Sequence, residues 1–469
     1  MHKPISIVVF GVTGDLFKKK LVHAFFDLYK RGELGNDFVL YGYSRKDWSD
    51  EEFRKYVQEH LNTKEVDVAE EFVGHLFFRS GDILNKDTYD SLKTDFGERD
   101  ELLSECTNKL FYLAVTPELY EDVFINLSHS GLTVPCAPGT PGQDGAWIKL
   151  IVEKPFGRDE LHAKMLDDLL GKLFLEEQIF RIDHYLAKET LQNILAFRFG
   201  NTLFESLWSR RHIEKIEICS YEENDLNGRG AFYEDVGALN DVGQNHLLQM
   251  LALVAMENPA SFSSSDIRRS RADVLASVNV SHDQDGFKRG QYKGYTDEPG
   301  VEDTTETETY FKATLKIDNE RWKEVPFVLS HGKALPKTKA EIVVTFKNGN
   351  NNDSNLFIKS ANVLTFHIQP KEGIAIDFFA KKSGYNFELE KKTLAFEYKS
   401  THKTPFVYPY EKLLKDAISG DQTLFIGTEE IASQWRVVSE VKKVFDNIPL
   451  LIYDKGQTPE ELLSETLEE

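Results

Sequence analysis

The sequence predicts an α/β domain with a parallel sheet at the N-terminus, followed by an α+β domain with a large, mostly antiparallel sheet. Strand-like and helix-like segments alternate in the first third of the chain, which is typical of βαβ units. From about Ile213 onward long β-type segments dominate instead. The chain has 469 residues, enough for two or three domains of ordinary size. We therefore predict one domain at 1–180 and a second at 181–469.

The N-terminal elements follow from apolar patterning. The apolar run at 5–10 predicts a strand buried on both faces, and apolar side chains at helical spacing over 21–29 predict a helix after it. Because helical segments separate the strands, we expect right-handed crossovers and a parallel sheet. The remaining strands of this sheet are predicted at 38–43, 77–78, 110–115 and 146–152.

The C-terminal part combines β-type runs with amphipathic helices. The β-branched residues at 342–345 favour antiparallel pairing. An amphipathic helix is predicted at 245–256, and the segment 281–308, rich in glycine and acidic residues, is predicted to be a long excursion from the sheet. Strands are predicted at 213–221, 310–317, 340–346, 363–368 and 374–379.

Composition restricts the class of protein. The formal net charge is −21, from 56 basic and 77 acidic residues, which argues against a nucleic-acid partner. No apolar run approaches the roughly 20 residues of a membrane-spanning helix, and no secretory segment is visible at the N-terminus. The three cysteines, Cys106, Cys136 and Cys219, are too few for a disulfide scaffold, and we expect them to be reduced. We therefore predict a cytoplasmic protein that binds neither nucleic acid nor membrane.

A glycine-containing turn joins the first strand to the first helix. Gly11 and Gly14 permit a tight turn, and the helix start offers N–H groups to a phosphate. The lysines at 18–20 place positive charge at this helix start, where it opposes the helix dipole and favours a bound anion. The spacing differs from G-x-G-x-x-G, so a plain turn between strand and helix is the alternative.

Two cations follow the second predicted strand. A carboxylate at this place would bind a ribose 2′-hydroxyl and favour NAD, but the chain has Arg45 and Lys46 there. Two basic groups and no acid suit a 2′-phosphate and therefore NADP. The alternative is a pair of solvated basic residues at the start of a loop.

The segment 181–189 concentrates ionisable side chains ahead of a predicted helix. His184, Tyr185 and Lys188 would lie near the helix N-terminus, where an anion is stabilised by the dipole and by free N–H groups. The alternative is a capped helix with Asp183 as the N-cap and the other side chains exposed.

His246 lies at the boundary between a polar segment and an apolar helix face. An isolated histidine in this position is more often structural than catalytic. It would become a competent general base if a carboxylate such as Asp183 held its far nitrogen. No H-E-x-x-H, G-x-S-x-G or paired C-x-x-C motif is present, and we expect no metal.

Together these segments resemble the glucose-6-phosphate dehydrogenase family. The family signature R-I-D-H-Y-L-G-K-E is similar to 181–189, with alanine replacing the glycine at position 187. The family's glycine turn, G-A-S-G-D-L-A-K-K-K, resembles 11–20. The family segments E-K-P-F-G, D-V-x-Q-N-H-L-L-Q-M-L, E-R-W-x-x-V-P-F and G-K-A-L resemble 153–157, 241–251, 320–327 and 332–335.

The resemblance implies a Rossmann-like N-terminal domain and a β+α domain for substrate binding and oligomerisation. It implies oxidation of D-glucose 6-phosphate at C1 to 6-phospho-D-glucono-1,5-lactone with hydride transfer to NADP, the first step of the oxidative pentose phosphate pathway. NAD is a weaker alternative cofactor. A homodimer or homotetramer is expected.

The resemblance also implies the roles of individual residues. His246 matches the family's general base, and Asp183 matches its carboxylate partner. Substrate contacts are implied for His184, Tyr185, Lys188, Glu222, Asp241, Lys333 and Lys154. Cofactor contacts are implied for Gly11, Val12, Thr13, Gly14, Asp15, Leu16, Phe17, Lys18, Arg45, Tyr112 and Lys154. The chain departs from the family pattern at Ala187, Asn240, Gly243 and Thr338.

Two other functions compete with this one. A sugar oxidoreductase of the glucose–fructose oxidoreductase type also carries E-K-P after a dinucleotide-binding domain, but it typically uses a catalytic lysine, and the segment 181–189 argues against it. The second is a non-catalytic sensor of NADP or of a sugar phosphate. Retention of both Asp183 and His246 argues against a sensor.

Overall fold

The computed structural model describes residues 3–134, 145–281, 283–348, 361–398 and 407–464. The chain divides into two units. The first comprises Met1–Ala187 and Val407–Ile431, and the second comprises Lys188–Phe406 and Ala432–Glu469. The sequence placed a single boundary at 180/181, and it contains no signal for the return of 407–431 to the first unit.

Strands occur throughout both units. In chain order they are β1 (Ile5–Phe10), β2 (Phe38–Ser44), β3 (Leu76–Ser80), β4 (Asn108–Leu113), β5 (Ile148–Val152), β6 (Ile179–Ile182), β7 (Ile213–Tyr221), β8 (Val278–Val280), β9 (Phe287–Tyr292), β10 (Tyr310–Ile317), β11 (Phe327–Gly332), β12 (Lys339–Phe346), β13 (Val363–Gln369), β14 (Gly373–Lys381), β15 (Leu389–Glu397), β16 (Phe425–Ile426) and β17 (Leu450–Tyr453).

Helices connect and cover these strands. They are α1 (Val22–Lys30), α2 (Asp50–Leu61), α3 (Val66–Gly74), α4 (Lys86–Leu103), α5 (Tyr120–His129), α6 (Glu160–Leu173), α7 (Glu189–Phe199), α8 (Thr202–Glu205), α9 (Gly230–Glu234), α10 (Leu248–Ala255), α11 (Ser264–Ala276), α12 (Pro409–Ser419), α13 (Thr428–Phe445) and α14 (Pro459–Ser464). Short 3₁₀ turns lie at Pro117–Leu119, Glu176–Gln178 and Gln284–Gly286, and π-helical segments lie at Phe17–Leu21 and Leu239–Leu247.

The first unit contains a seven-stranded sheet in the order β16-β6-β5-β4-β1-β2-β3. All pairs are parallel except β16 with β6. Strands β1, β4 and β5 are buried along their whole length, as expected for a parallel sheet covered on both faces. The α/β class and the N-terminal strands predicted from the sequence are confirmed.

Side chains tie the returning segment 407–431 to this sheet. Gln422 donates from Nε2 to the main-chain oxygen of Ile179 at 2.9 Å, and Lys149 donates from Nζ to that of Ala417 at 2.7 Å. The main chain adds the short antiparallel pair of β16 with β6. Buried main-chain oxygens at the sheet edge are thereby satisfied by side chains distant in sequence.

The second unit contains a ten-stranded sheet with the path β15-β14-β13-β12-β7-β11-β10-β9-β17, and β8 pairs with β10. Pairing is antiparallel except between β11 and β7 and between β17 and β9. The mostly antiparallel sheet is therefore confirmed, and β7 and β10 occupy the predicted ranges.

The predicted excursion 281–308 is wrong in part, because it contains β9 (Phe287–Tyr292). The strand carries Lys, Arg, Gly and Gln between its aromatic ends, so its composition gives little β signal. Its place between β10 and β17 in the sheet determines its conformation, as is common for strands.

Of the cysteines in the described part of the chain, Cys106 is disulfide-bonded and Cys219 is a buried free thiol. The expectation of reduced cysteines is therefore wrong at Cys106. Among the helices that the structure describes, none has the length and apolar character needed to cross a membrane.

Candidate active site

The glycine turn after β1 makes a close approach to neighbouring strands. Gly11 has φ +92°, and a Cβ atom there would lie 2.4 Å from the main-chain oxygen of Ala114. Its N–H donates to the main-chain oxygen of Tyr43 at 2.9 Å. Only glycine fits this conformation and this distance, so the turn stays close to the strand ends.

A cleft of about 610 Å³ opens at the carboxyl ends of β1 to β4. The sheet order reverses there, between β1 and β4, which is where open α/β sheets bind ligands. Residues lining it include Gly11, Thr13, Arg45, Lys46, Asp82 and Thr116. Three predicted cofactor residues, Gly11, Thr13 and Arg45, are thus brought together. Asp82 and Thr116 were missed, and their position just after β3 and β4 is the signal that could have identified them.

The other predicted cofactor residues do not line this cleft in the described part of the chain. Asp15 instead pairs with Lys19 at 2.8 Å and lies 3.5 Å from Lys18. Val12, Phe17 and Tyr112 belong to the buried core, whereas Gly14, Asp15, Leu16, Lys18 and Lys154 are half-buried or exposed.

Glu153, which the sequence did not single out as a site residue, lies in a buried polar cluster of the first unit. The Tyr112 hydroxyl donates to its carboxylate at 2.5 Å, and the Tyr120 hydroxyl donates to its main-chain oxygen at 2.9 Å. Burial raises the pKa of Glu153 to about 7. The Tyr112 hydroxyl is therefore bonded to a carboxyl group directly before Lys154.

The signature segment begins with a structural arginine. Arg181 is buried, and its guanidinium donates to Asp167 at 2.6 Å and to Glu176 at 3.0 Å. A buried guanidinium with two carboxylate partners is well compensated. Arg181 therefore stabilises the first unit and adds no cation to a ligand site.

Asp183 is not the cap of the following helix, so the capped-helix alternative is wrong. Residues 183–187 form a turn, in which Leu186 N–H donates to the main-chain oxygen of Asp183 at 3.1 Å and Tyr185 N–H donates to its carboxylate at 2.9 Å. The helix begins at Glu189, with Lys188 in the capping position. His184 and Tyr185 therefore lie in the turn that precedes the helix, and Lys188 lies at its start.

The turn holds two of the predicted phosphate-binding side chains. The rings of His184 and Tyr185 are 5.2 Å apart in an edge-to-face arrangement, and His184 also stacks on Tyr410 of the returning segment with ring centroids 6.0 Å apart. Lys188 belongs to the second unit, where Nζ donates to Gln369 Oε1 at 2.8 Å.

Three predicted sugar-binding residues meet in the second unit. Lys333 Nζ lies 2.9 Å from Glu222 Oε2 and 3.3 Å from Asp241 Oδ2. The Lys333 side chain is only 3% exposed, and its ammonium lies 5.1 Å from the centre of the Tyr233 ring. One buried cation is thus shared between two carboxylates.

His331 adjoins this cluster and was not predicted. Burial, aided by the charge of Lys333, lowers the pKa of His331 to about 4, so its imidazole is neutral at pH 7. Its Nδ1–H donates to the main-chain oxygen of Ser220. Burial favours a higher pKa for Glu222, but His331 and Lys333 lower it overall. Since His331 is neutral near pH 7, Lys333 is the charge that keeps Glu222 ionised there.

His246 and Asp241 share the π-helical segment Leu239–Leu247. A π-helix bonds residues five apart, and the N–H of Leu248 donates to the main-chain oxygen of Gly243 in this way. Asp241 and His246 are five residues apart, so this geometry brings them towards one face. His246 is buried, with 2% of its surface exposed.

The parallel sheet, the glycine turn and the basic cleft define a dinucleotide-binding protein with a second, ligand-binding unit. Residues 8–193 match the model of the glucose-6-phosphate dehydrogenase NAD binding domain, and 195–469 match that of the C-terminal domain of the same family. The chain belongs to the glucose-6-phosphate dehydrogenase family.

Individual relatives agree with this assignment. The chain is 38% identical to glucose-6-phosphate 1-dehydrogenase of Borreliella burgdorferi, over 97% of this chain and 95% of the relative. It is 35% identical to the Bacillus subtilis enzyme of that name, over 94% and 91%. It is also similar to a solved structure of glucose-6-phosphate dehydrogenase in complex with its substrate glucose-6-phosphate, with a TM-score of 0.88 and 32% identity over 99% of this chain and 98% of the other.

The buried carboxyl of Glu153 predicts a specific pH dependence of stability. Burial raises the pKa of Glu153 from 4.5 to about 7, so between these pH values the folded protein keeps a proton that the unfolded chain has released. The free energy of unfolding therefore falls as pH rises from about 4.5 to about 7. In Glu153→Gln this loss is absent, and we expect the melting temperature of the variant relative to wild type to increase from about pH 5 to about pH 8.

Glu121→Gln, on the exposed side of α5, is the matched control and should track wild type at every pH. A melting-temperature difference between Glu153→Gln and wild type that stays constant over this range would contradict the assignment.

Proposed function

We propose that this protein oxidises D-glucose 6-phosphate at C1 to 6-phospho-D-glucono-1,5-lactone with hydride transfer to NADP, the first step of the oxidative pentose phosphate pathway. The observation that carries the proposal is the pairing of buried Lys333 with Glu222 and Asp241, with Asp241 in the same π-helical segment as His246, in a chain of this family. A cytoplasmic location, expected from the sequence, stays a prediction.

His246 is the proposed general base. Oxidation at C1 requires removal of the hydroxyl proton as the hydride leaves, and imidazole accepts protons near neutral pH. Asp183, proposed as its partner on the family resemblance, would stabilise the imidazolium that forms. The burial of His246 supports this role, because a base shielded from water is oriented by protein groups.

The substrate-binding residues divide by charge. Glu222 and Asp241 accept hydrogen bonds from sugar hydroxyls, while Lys333 pairs with both carboxylates and donates to a sugar oxygen. His184, Tyr185 and Lys188 are proposed to bind the 6-phosphate, and Lys154 is proposed to contact substrate and cofactor.

The cleft at β1 to β4 fits a nicotinamide dinucleotide. Gly11 lets the main chain come within contact distance of the strand ends, and the cleft is lined by Thr13 and by two cations, Arg45 and Lys46. Arg45 and Lys46 would bind a 2′-phosphate, which supports NADP over NAD. When bound, the nicotinamide ring accepts the hydride from C1.

We also propose a homodimer or a homotetramer. Strand β15 ends the path of the larger sheet, and its side chains include Leu394, 64% exposed, and Phe396, 37% exposed. A nine-residue edge strand with exposed apolar side chains is a surface that proteins usually cover, and pairing with a second copy would cover it.

Loss of the base should abolish most turnover. With glucose 6-phosphate and NADP, wild type is expected to form NADPH, and His246→Asn should lower kcat by roughly 10²–10⁴-fold, as for removal of a general base. The assay follows NADPH absorbance. The exposed His212→Asn is the control, and it should match wild type. Turnover of His246→Asn close to that of wild type would overturn the mechanism.

Arg45 should discriminate between the two cofactors. Arg45→Ala should weaken NADP binding by roughly 10–100-fold, the usual cost of losing a hydrogen bond to a charged group, and should change NAD binding far less. Fluorescence titration with each dinucleotide measures both constants, with the exposed Arg158→Ala as control. Equal losses for NADP and NAD would remove the argument for NADP.

A charge on β15 should disrupt the oligomer. Leu394→Lys replaces an exposed apolar side chain of the edge strand with an ammonium group, and we expect a smaller sedimentation coefficient than for wild type. Leu161→Lys, at a leucine of the first unit that is 81% exposed, should leave the coefficient unchanged. A wild-type monomer, or identical sedimentation of both variants, would count against this interface.

A further inference from the structure

The side chain of Asn245 bonds to the main chain of both functional residues in the π-helical segment. Its Nδ2 donates to the main-chain oxygen of Asp241 at 3.0 Å, and its Oδ1 accepts from the main-chain N–H of His246 at 2.7 Å. A second Nδ2 bond reaches the main-chain oxygen of Asn240 at 3.2 Å. All hydrogen-bonding atoms of the amide are therefore used within one turn of helix.

In a π-helix the N–H of His246 would donate to the main-chain oxygen of Asp241, and the Asn245 amide bonds to both of these groups. The carbonyl of Asp241 and the N–H of His246 are five residues apart, and the Asn245 amide bridges them. In a regular α-helix the main-chain hydrogen bonds join residues four apart, and the side chains of Asp241 and His246 would point in different directions around the helix axis. The amide thus stabilises the wider path that brings both side chains towards one face.

Packing around the segment favours the same path. A Cβ atom at Gly243 would lie 2.8 Å from the ring of Phe311 and 3.0 Å from Leu239 Cδ1. The segment therefore rests directly against β10, with no room for a side chain at position 243. Asn245 is 2% exposed, so its hydrogen bonds are shielded from water and their loss would not be compensated by solvent.

We propose that Asn245 is a positioning residue, whose side-chain amide sets the main-chain separation of Asp241 and His246 and so aligns the sugar-binding carboxylate with the base. This inference rests on the proposed function of His246. Asn245 touches no reacting atom, and it acts through the two residues whose main chain it holds.

The test compares Asn245→Ala with a matched asparagine elsewhere in the second unit. Asn201 donates from Nδ2 to the main-chain oxygens of residues 196 and 197, the same offsets of five and four residues, at the end of α7. Asn201→Ala therefore removes the same kind of bond far along the chain from His246, and it should retain wild-type kinetics.

For Asn245→Ala we expect kcat to fall by about 10–100-fold, because small displacements of catalytic groups are costly. The acid limb of the pH profile of kcat/KM, which reports the base of the free enzyme, should shift. Calorimetry with glucose 6-phosphate alone should give a Kd weaker by roughly tenfold or less, since only Asp241 is affected in binding. Asn245→Ser, whose hydroxyl can donate to the carbonyl four residues earlier, should recover part of kcat.

These measurements distinguish failure of the proposed function from failure of the positioning role of Asn245. If wild type does not reduce NADP or NAD with glucose 6-phosphate, the proposed function fails. If wild type is active and folded Asn245→Ala keeps its kcat and its pH profile, the positioning role is overturned. If Asn201→Ala loses activity as Asn245→Ala does, with no rescue by Asn245→Ser, the effect is general destabilisation and the positioning role is again overturned. Circular dichroism establishes folding for each variant.

Discussion

The second unit is organised around one buried ammonium group. Lys333 is 3% exposed, and an isolated charge at such a depth is strongly destabilising unless it is paired. Its partners come from separate elements: Glu222 follows β7, whereas Asp241 lies in the π-helical segment. The requirement to pair this charge therefore fixes the end of β7, the end of β11 and the segment that carries His246 relative to one another.

The parts predicted well from sequence are those governed by local patterning. Strands β7 and β10 have strong β-type residues over their whole length, and their bounds were predicted without error. The glycine turn was also predictable, because Gly11 follows a strand that is apolar except at Ser6, and in the structure Gly11 adopts a φ that other residues avoid. The Glu222, Asp241 and Lys333 group came from family resemblance, since no local rule joins residues so distant in the chain.

Features that depend on distant contacts could not be predicted. Strand β16 has two residues, and it is defined by its partner β6 and by bonds such as that of Gln422 to Ile179. The π-helical segment is similarly hidden, because its apolar spacing resembles that of an α-helix and only its hydrogen bonds, such as that of Leu248 N–H to the main-chain oxygen of Gly243, distinguish it. At Asp183 the sequence left a helix cap open as an alternative, but the turn before α7 places Lys188 in that position.

Charge explains why the two ends of a sugar phosphate would be bound by different segments. Two carboxyl groups, of Glu222 and Asp241, meet one ammonium group, of Lys333. His331 adds no positive charge at pH 7, because burial lowers its pKa to about 4. Such a cluster attracts hydroxyl donors and repels a phosphate dianion. A phosphate therefore needs donors outside this cluster, and that is the role proposed for His184, Tyr185 and Lys188.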